Sequence, residues 1–129
     1  MIGVKEKEVS KVVEKFRQIE IAISTEKGNF NLFALIERED ALGKWDVVAS
    51  AKWIGNDDKA LIDIIAGKIR NAFTRDEQLM LSRIVILPPS DPLVKNLNLI
   101  GAEHSSIRLS NNTFNGIALK EAYLITSKR

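Results

Sequence analysis

Residues 30–53 decide the fold, and their sequence is FNLFALIEREDALGKWDVVASAKW. Residues 30–37 are mostly apolar at both odd and even positions, which is typical of a central strand covered on both faces. After the charged stretch 38–44, residues 45–53 alternate, with apolar residues at odd positions and mostly polar ones at even positions. The two segments predict an antiparallel hairpin whose second strand has one buried face and one half-exposed face.

The segment before this hairpin has the spacing of an amphipathic helix. Apolar residues recur every three or four positions from Val9 to Ile23, so they share one stripe. A strand over residues 18–24 is the competing interpretation, because Ile19, Ile21 and Ile23 also alternate. The unbroken stripe favours one long helix, which ends near Gly28.

The segments after the hairpin predict helices, strands and a second hairpin. Residues 56–58 are a helix N-cap signal for a helix to Phe73, and Thr74 with Glu77 is a capping-box pattern for a second, short helix. Residues 82–87 form a β-branched strand, and residues 90–92 begin another helix. Strands over 105–110 and 117–126 are expected to be joined by a turn at Asn111 and Asn112.

The resulting order of elements is α-β-β-α-α-β-α-β-β. It predicts a single α+β domain over residues 1–129, with a mostly antiparallel sheet of about five strands and helices packed on it. The order of the strands within the sheet does not follow from the sequence.

The amino-acid composition disfavours several functional classes of protein. The formal net charge is only +2 and there is no cysteine. The charge does not favour nucleic-acid binding, and the absence of cysteine disfavours disulfide-rich secreted domains and thiolate metal sites. No stretch is long and apolar enough to span a membrane. The N-terminal segment is charged and does not have the apolar stretch expected of a signal peptide. We therefore expect a soluble, cytoplasmic protein without a bound metal, and the sequence leaves its cofactors unknown.

No catalytic motif or glycine-rich phosphate loop is present. The first functional hypothesis is therefore a non-enzymatic binding or oligomerising module, present as a homodimer or as a subunit of a larger assembly. Symmetric dimers are the commonest soluble assemblies.

A metal-dependent hydrolase or nuclease is the alternative hypothesis. Glu37 and Asp46 would hold a divalent cation beside Lys52, which requires both carboxylates on one side of the hairpin. His104 is the only histidine and a candidate general base, although a surface or capping role is the simpler interpretation.

Two further side chains are candidate binding residues. Trp53 could stack on bases beside Lys52 in a single-stranded nucleic-acid site, although its position in the strand favours burial. Arg83 is expected to pair with Glu121 across two strands, and an anion-binding role is its second interpretation.

Overall fold

The computed structural model describes residues 4–114 and 117–129 and confirms the α+β class and the order of elements. The long N-terminal segment is one helix, so the competing strand over 18–24 does not form. The elements are α1 (Val4–Lys27), β1 (Leu32–Arg38), β2 (Trp45–Ser50), α2 (Asp58–Ala72), α3 (Arg75–Leu79), β3 (Leu81–Ile86), α4 (Pro92–Asn98), β4 (Ile107–Phe114) and β5 (Ile117–Ser127).

The five strands form one sheet in the order β3-β2-β1-β5-β4. Neighbouring strands are antiparallel except β2 and β3, which are parallel. A parallel pair needs a long crossover, and α2 with α3 provides it here. The strand order leaves β3 and β4 at the two edges of the sheet.

Helices cover both faces of the sheet, and each face has its own core. On the first face, α1 and α2 pack through residues such as Phe16 and Ile65 against Phe33 and Val47. On the second face, α4 packs against Ala34 and its neighbours. The expectation of a half-exposed face on β2 is therefore wrong, because the second-face residues Asp46, Val48 and Ser50 are also buried.

The chain departs from the predicted strand boundaries at two places. The strand that begins at Trp45 ends at Ser50, and Lys52–Ile54 form a short 3-10 turn. In the C-terminal hairpin, the backbone of Asn111 and Asn112 belongs to β4, which continues to Phe114, so the turn predicted at these two residues does not form there. Residues 115 and 116 lie outside the described part of the structure.

Within the described residues, none of the helices has both the length and the apolar character needed to cross a membrane.

An ion pair joins α1 to the start of α3. Lys15 Nζ lies 2.5 Å from Glu77 Oε1, and Glu77 also completes the predicted capping box with Thr74. Burial raises the pKa of the Glu77 carboxyl, but the Lys15 ammonium and the hydrogen bonds with Thr74 lower it more. The net effect is a pKa below the ordinary value of a glutamate.

Glu77→Gln is expected to reduce stability by about 1–2 kcal/mol at pH 7. Because folding lowers this pKa, the contribution is complete above the ordinary glutamate pKa and disappears as pH falls through the lowered value. Urea unfolding from pH 7 to pH 3 should show the wild-type advantage shrinking with acidity. Glu26→Gln on the exposed side of α1 is the control, and a pH-independent difference for Glu77→Gln would contradict the assignment.

Candidate functional site

The two carboxylates of the hydrolase hypothesis lie on opposite sides of the sheet. Glu37 has the parity of Phe33 and Leu35, whose side chains face α1 and α2. Asp46 is paired with Ile36, whose side chain belongs to the opposite core. Glu37 accepts a hydrogen bond from the Gly43 amide at 2.7 Å and so braces the hairpin loop. One cation therefore cannot bind both carboxylates.

Lys52 does not join either carboxylate in a shared site. It lies beyond the end of β2 with an exposed side chain, while Asp46 lies near the start of that strand. Among the residues that the structure describes, no group of three or more acidic or histidine side chains is placed to hold a metal ion. The geometry thus removes the metal site on which the hydrolase hypothesis depended.

Asp46 is instead compensated by two arginines. Its Oδ2 atom lies 3.3 Å from Arg38 Nε and 3.1 Å from Arg83 Nε, and the carboxylate is almost fully buried. A buried carboxylate needs such partners because desolvating an isolated charge is costly. These residues line a cleft of about 210 Å³ on the second face of the sheet.

The predicted pair between Arg83 and Glu121 is wrong. Arg83 lies on β3 and Glu121 on β5, and β2 and β1 separate these strands. Glu121 instead pairs with Arg108 on the adjacent strand β4, through hydrogen bonds of 2.9 and 3.1 Å. The error follows from the strand order, which the sequence did not provide.

His104 forms a close pair with a buried carboxylate. Its Nδ1 atom lies 2.5 Å from Glu20 Oε1, and Glu20 on α1 is fully buried. The backbone of His104 has a positive φ of 49° and is held by Arg17, whose Nε donates to the His104 carbonyl at 2.7 Å. The histidine is therefore tied into the packing of α1 against the C-terminal strands.

The other imidazole nitrogen also faces a carboxylate, with Nε2 3.7 Å from Glu103 Oε1. A general base needs a nitrogen directed at the proton that it removes. An imidazole between two carboxyl groups is better suited to satisfying the buried side chain of Glu20. Glu20 was not predicted as a site residue, although the sequence contains one signal for it: it lies on the apolar stripe of α1, four residues after Phe16.

Trp53 is a packing residue and is not placed to stack on a ligand base. Its ring contacts Phe30 in an edge-on arrangement with centroids 5.5 Å apart. Its indole nitrogen donates to the carbonyls of Gly28 and Asn29, each at 3.0 Å. A Cβ at Gly28 would lie 3.0 Å from the indole, and the φ of this residue is positive. Both features favour glycine at this position. The hydrogen bonds of Trp53 therefore connect the turn after β2 to the residues that follow α1.

Strand β3 presents a short open edge. The Leu87 amide donates to the Ala49 carbonyl at 2.9 Å, so the backbone groups of Leu87 point towards β2. Backbone groups of successive residues in a strand point to opposite sides, so those of Ile84 and Ile86 point away from the sheet. The register shift after Leu81 places a bulge at the start of β3, which limits the regular edge to its second half.

The open edge is flanked by concave surfaces on both faces of the sheet. The arginine-lined cleft described above includes Val85 on the second face. On the first face, a groove of about 330 Å³ lies between α2 and β3, with Ile62 and Ala66 on the helix and Ile84 on the strand. Exposed backbone donors and acceptors beside apolar grooves are the features of a strand-pairing surface.

No protein-family model matches the chain, no curated protein matches it, and no solved structure is detectably similar to it.

The pair of Glu20 and His104 leads to a stability prediction. His104→Asn should cost about 3 kcal/mol or more, because the Glu20 carboxylate would stay buried without its partner. Asparagine is chosen because it tolerates positive φ. In the double variant with Glu20→Met, no buried carboxyl group is left without a partner at this position, so at least about 2 kcal/mol should be regained. Denaturant unfolding measures each variant, and a double variant as unstable as His104→Asn would refute the role given to the pair.

Proposed function

We propose that this chain is a non-enzymatic module that forms a homodimer through the open edge of β3. The observation that carries the proposal is the edge itself, with outward backbone groups at Ile84 and Ile86 beside an apolar groove. We also propose a cytoplasmic location, since a chain without cysteine draws no stability from an oxidising compartment.

The edge of β3 is complementary to a second copy of itself. In antiparallel pairing about a two-fold axis at Val85, Ile84 lies opposite Ile86 of the second copy. Both residues have outward backbone groups, so each such pair exchanges two backbone hydrogen bonds. Their side chains face the same side of the sheet and would meet as apolar cross-strand neighbours. The two sheets would become one continuous sheet of ten strands.

Helix α2 supports the same two-fold arrangement. Ala66 and Gly67 lie near its middle, and their small size lets a second copy of the helix approach closely. Asp63 and Arg70 are both exposed and lie on either side of that middle. In an antiparallel helix pair centred there, Asp63 of one copy faces Arg70 of the other. The groove between α2 and β3 would then be covered by its own copy, as in an isologous interface.

Ala66→Arg is expected to convert the dimer to a monomer. The substitution places two like charges at the centre of the interface and should cost about 3 kcal/mol or more of dimer stability. Light scattering after size exclusion should give twice the 14.4 kDa chain mass for the wild type and the chain mass for the variant. Ala72→Arg, at the exposed end of α2, is the matched control and should remain dimeric. A wild type that is monomeric at high concentration would contradict the proposal.

Arg70→Glu should weaken the dimer by about 0.5–1 kcal/mol, because it faces Asp63 of the second copy with a like charge. Adding Asp63→Arg restores opposite charges and should recover most of the loss. Sedimentation equilibrium at low and high salt measures both effects, and salt should reduce them. Losses that simply add in the double variant would argue against this alignment of the two helices.

A further inference from the structure

A third cleft lies at the opposite end of β1 from the hairpin loop, and its lining includes Pro89, three residues after the end of β3. Its volume is about 540 Å³, within the range of small-molecule sites. The turn after β2 contributes Lys52, α4 contributes Lys95 and Asn96, and the segment after β5 contributes Arg129. The proposed dimer surface uses none of these residues.

The charged side chains that line this cleft are all basic. Lys52, Lys95 and Arg129 are exposed, and no acidic side chain lines the cleft with them. Within the described part of the chain, none of the three forms an ion pair, whereas Lys15, Arg83 and other basic residues elsewhere do. Three basic side chains without an ion-pair partner around one concavity favour a positive local potential.

Asn31 holds the backbone around the cleft in place. Its buried side chain accepts a hydrogen bond from the Lys52 amide at 3.1 Å and donates to the Lys128 carbonyl at 3.1 Å. Its carbonyl accepts from the Lys128 amide at 3.0 Å. These bonds fix the backbone of Lys52 directly. They fix the backbone of Arg129 through the preceding residue, Lys128. Two of the three cations therefore project from one hydrogen-bonded unit.

Asn98 connects the third cation to the same unit. Its side-chain nitrogen donates to the Asn31 carbonyl at 2.9 Å and to Ser127 Oγ at 3.1 Å. These bonds dock the end of α4, which presents Lys95, onto the ends of β1 and β5. The cleft is thus built from four segments that are tied together before any ligand arrives, and such preorganisation reduces the cost of binding.

We propose that this cleft binds a phosphorylated small molecule that carries two or more phosphate charges. Lysine and arginine form charge-assisted hydrogen bonds to phosphate oxygens, and three cations suit a multiply charged anion better than a single carboxylate. Asn96 offers an uncharged polar contact, and the exposed side chain of Leu99 at the rim offers an apolar one for the rest of the ligand.

Isothermal titration calorimetry of the full chain with inorganic pyrophosphate tests the proposal. One site per chain is expected, and Lys52→Gln with Lys95→Gln should weaken binding about tenfold or more. Lys11→Gln with Lys120→Gln is the control, because it removes the same charge from exposed positions away from the cleft. In amide spectra, pyrophosphate should shift the Lys52 amide and the side-chain amides of Asn31 and Asn98.

Three results would overturn the proposal. The first is no binding of pyrophosphate at low salt. The second is equal weakening in the control pair, which would assign the binding to overall charge. The third is binding of a single-stranded oligothymidylate without binding of pyrophosphate, which would indicate a nucleic-acid backbone track instead of a small-molecule site.

Discussion

The burial of β1 on both faces is the constraint on which the rest of the structure depends. Its first six residues, 32–37, are all buried, so the strand has no side that can face water. A strand of this kind needs a neighbour on each edge and a helical layer above and below. β2 and β5 supply the neighbours, α1 and α2 cover one face, and α4 covers the other.

The elements that could be predicted from the sequence are those whose signal is local. Helical periodicity from Val9 to Ile23 identified α1, and Thr74 with Glu77 identified the start of α3. Boundaries failed where tertiary contacts outweighed local preference. Trp53 has the alternation of a strand residue, yet its indole bonds to Gly28 and Asn29 and the chain turns there. Asn111 and Asn112 favour turns, yet pairing with β5 keeps them in β4.

The candidate sites depend on contacts between distant segments, and the sequence gives no spacing for those. Glu20 and His104 are 84 positions apart, and only the packing of α1 on the C-terminal strands brings them together. Arg83 could not be assigned to Asp46 without knowing that β3 lies beside β2. The cleft around Asn31 likewise joins four segments. The sequence pointed to His104 and Arg83 as residues of interest, but the packing of distant segments decided their partners.

The position of β5 between β1 and β4 has a consequence for how the protein is made. β1 is complete at residue 38, but the strand that covers its free edge begins at residue 117. At translation rates of about 5–20 residues per second, the ribosome needs roughly 4–16 s to bridge that interval. During this time the most apolar strand of the nascent chain lacks one neighbour. Completion of the sheet therefore has to wait for the C-terminal hairpin, and until then the free edge of β1 is open to incorrect strand pairing.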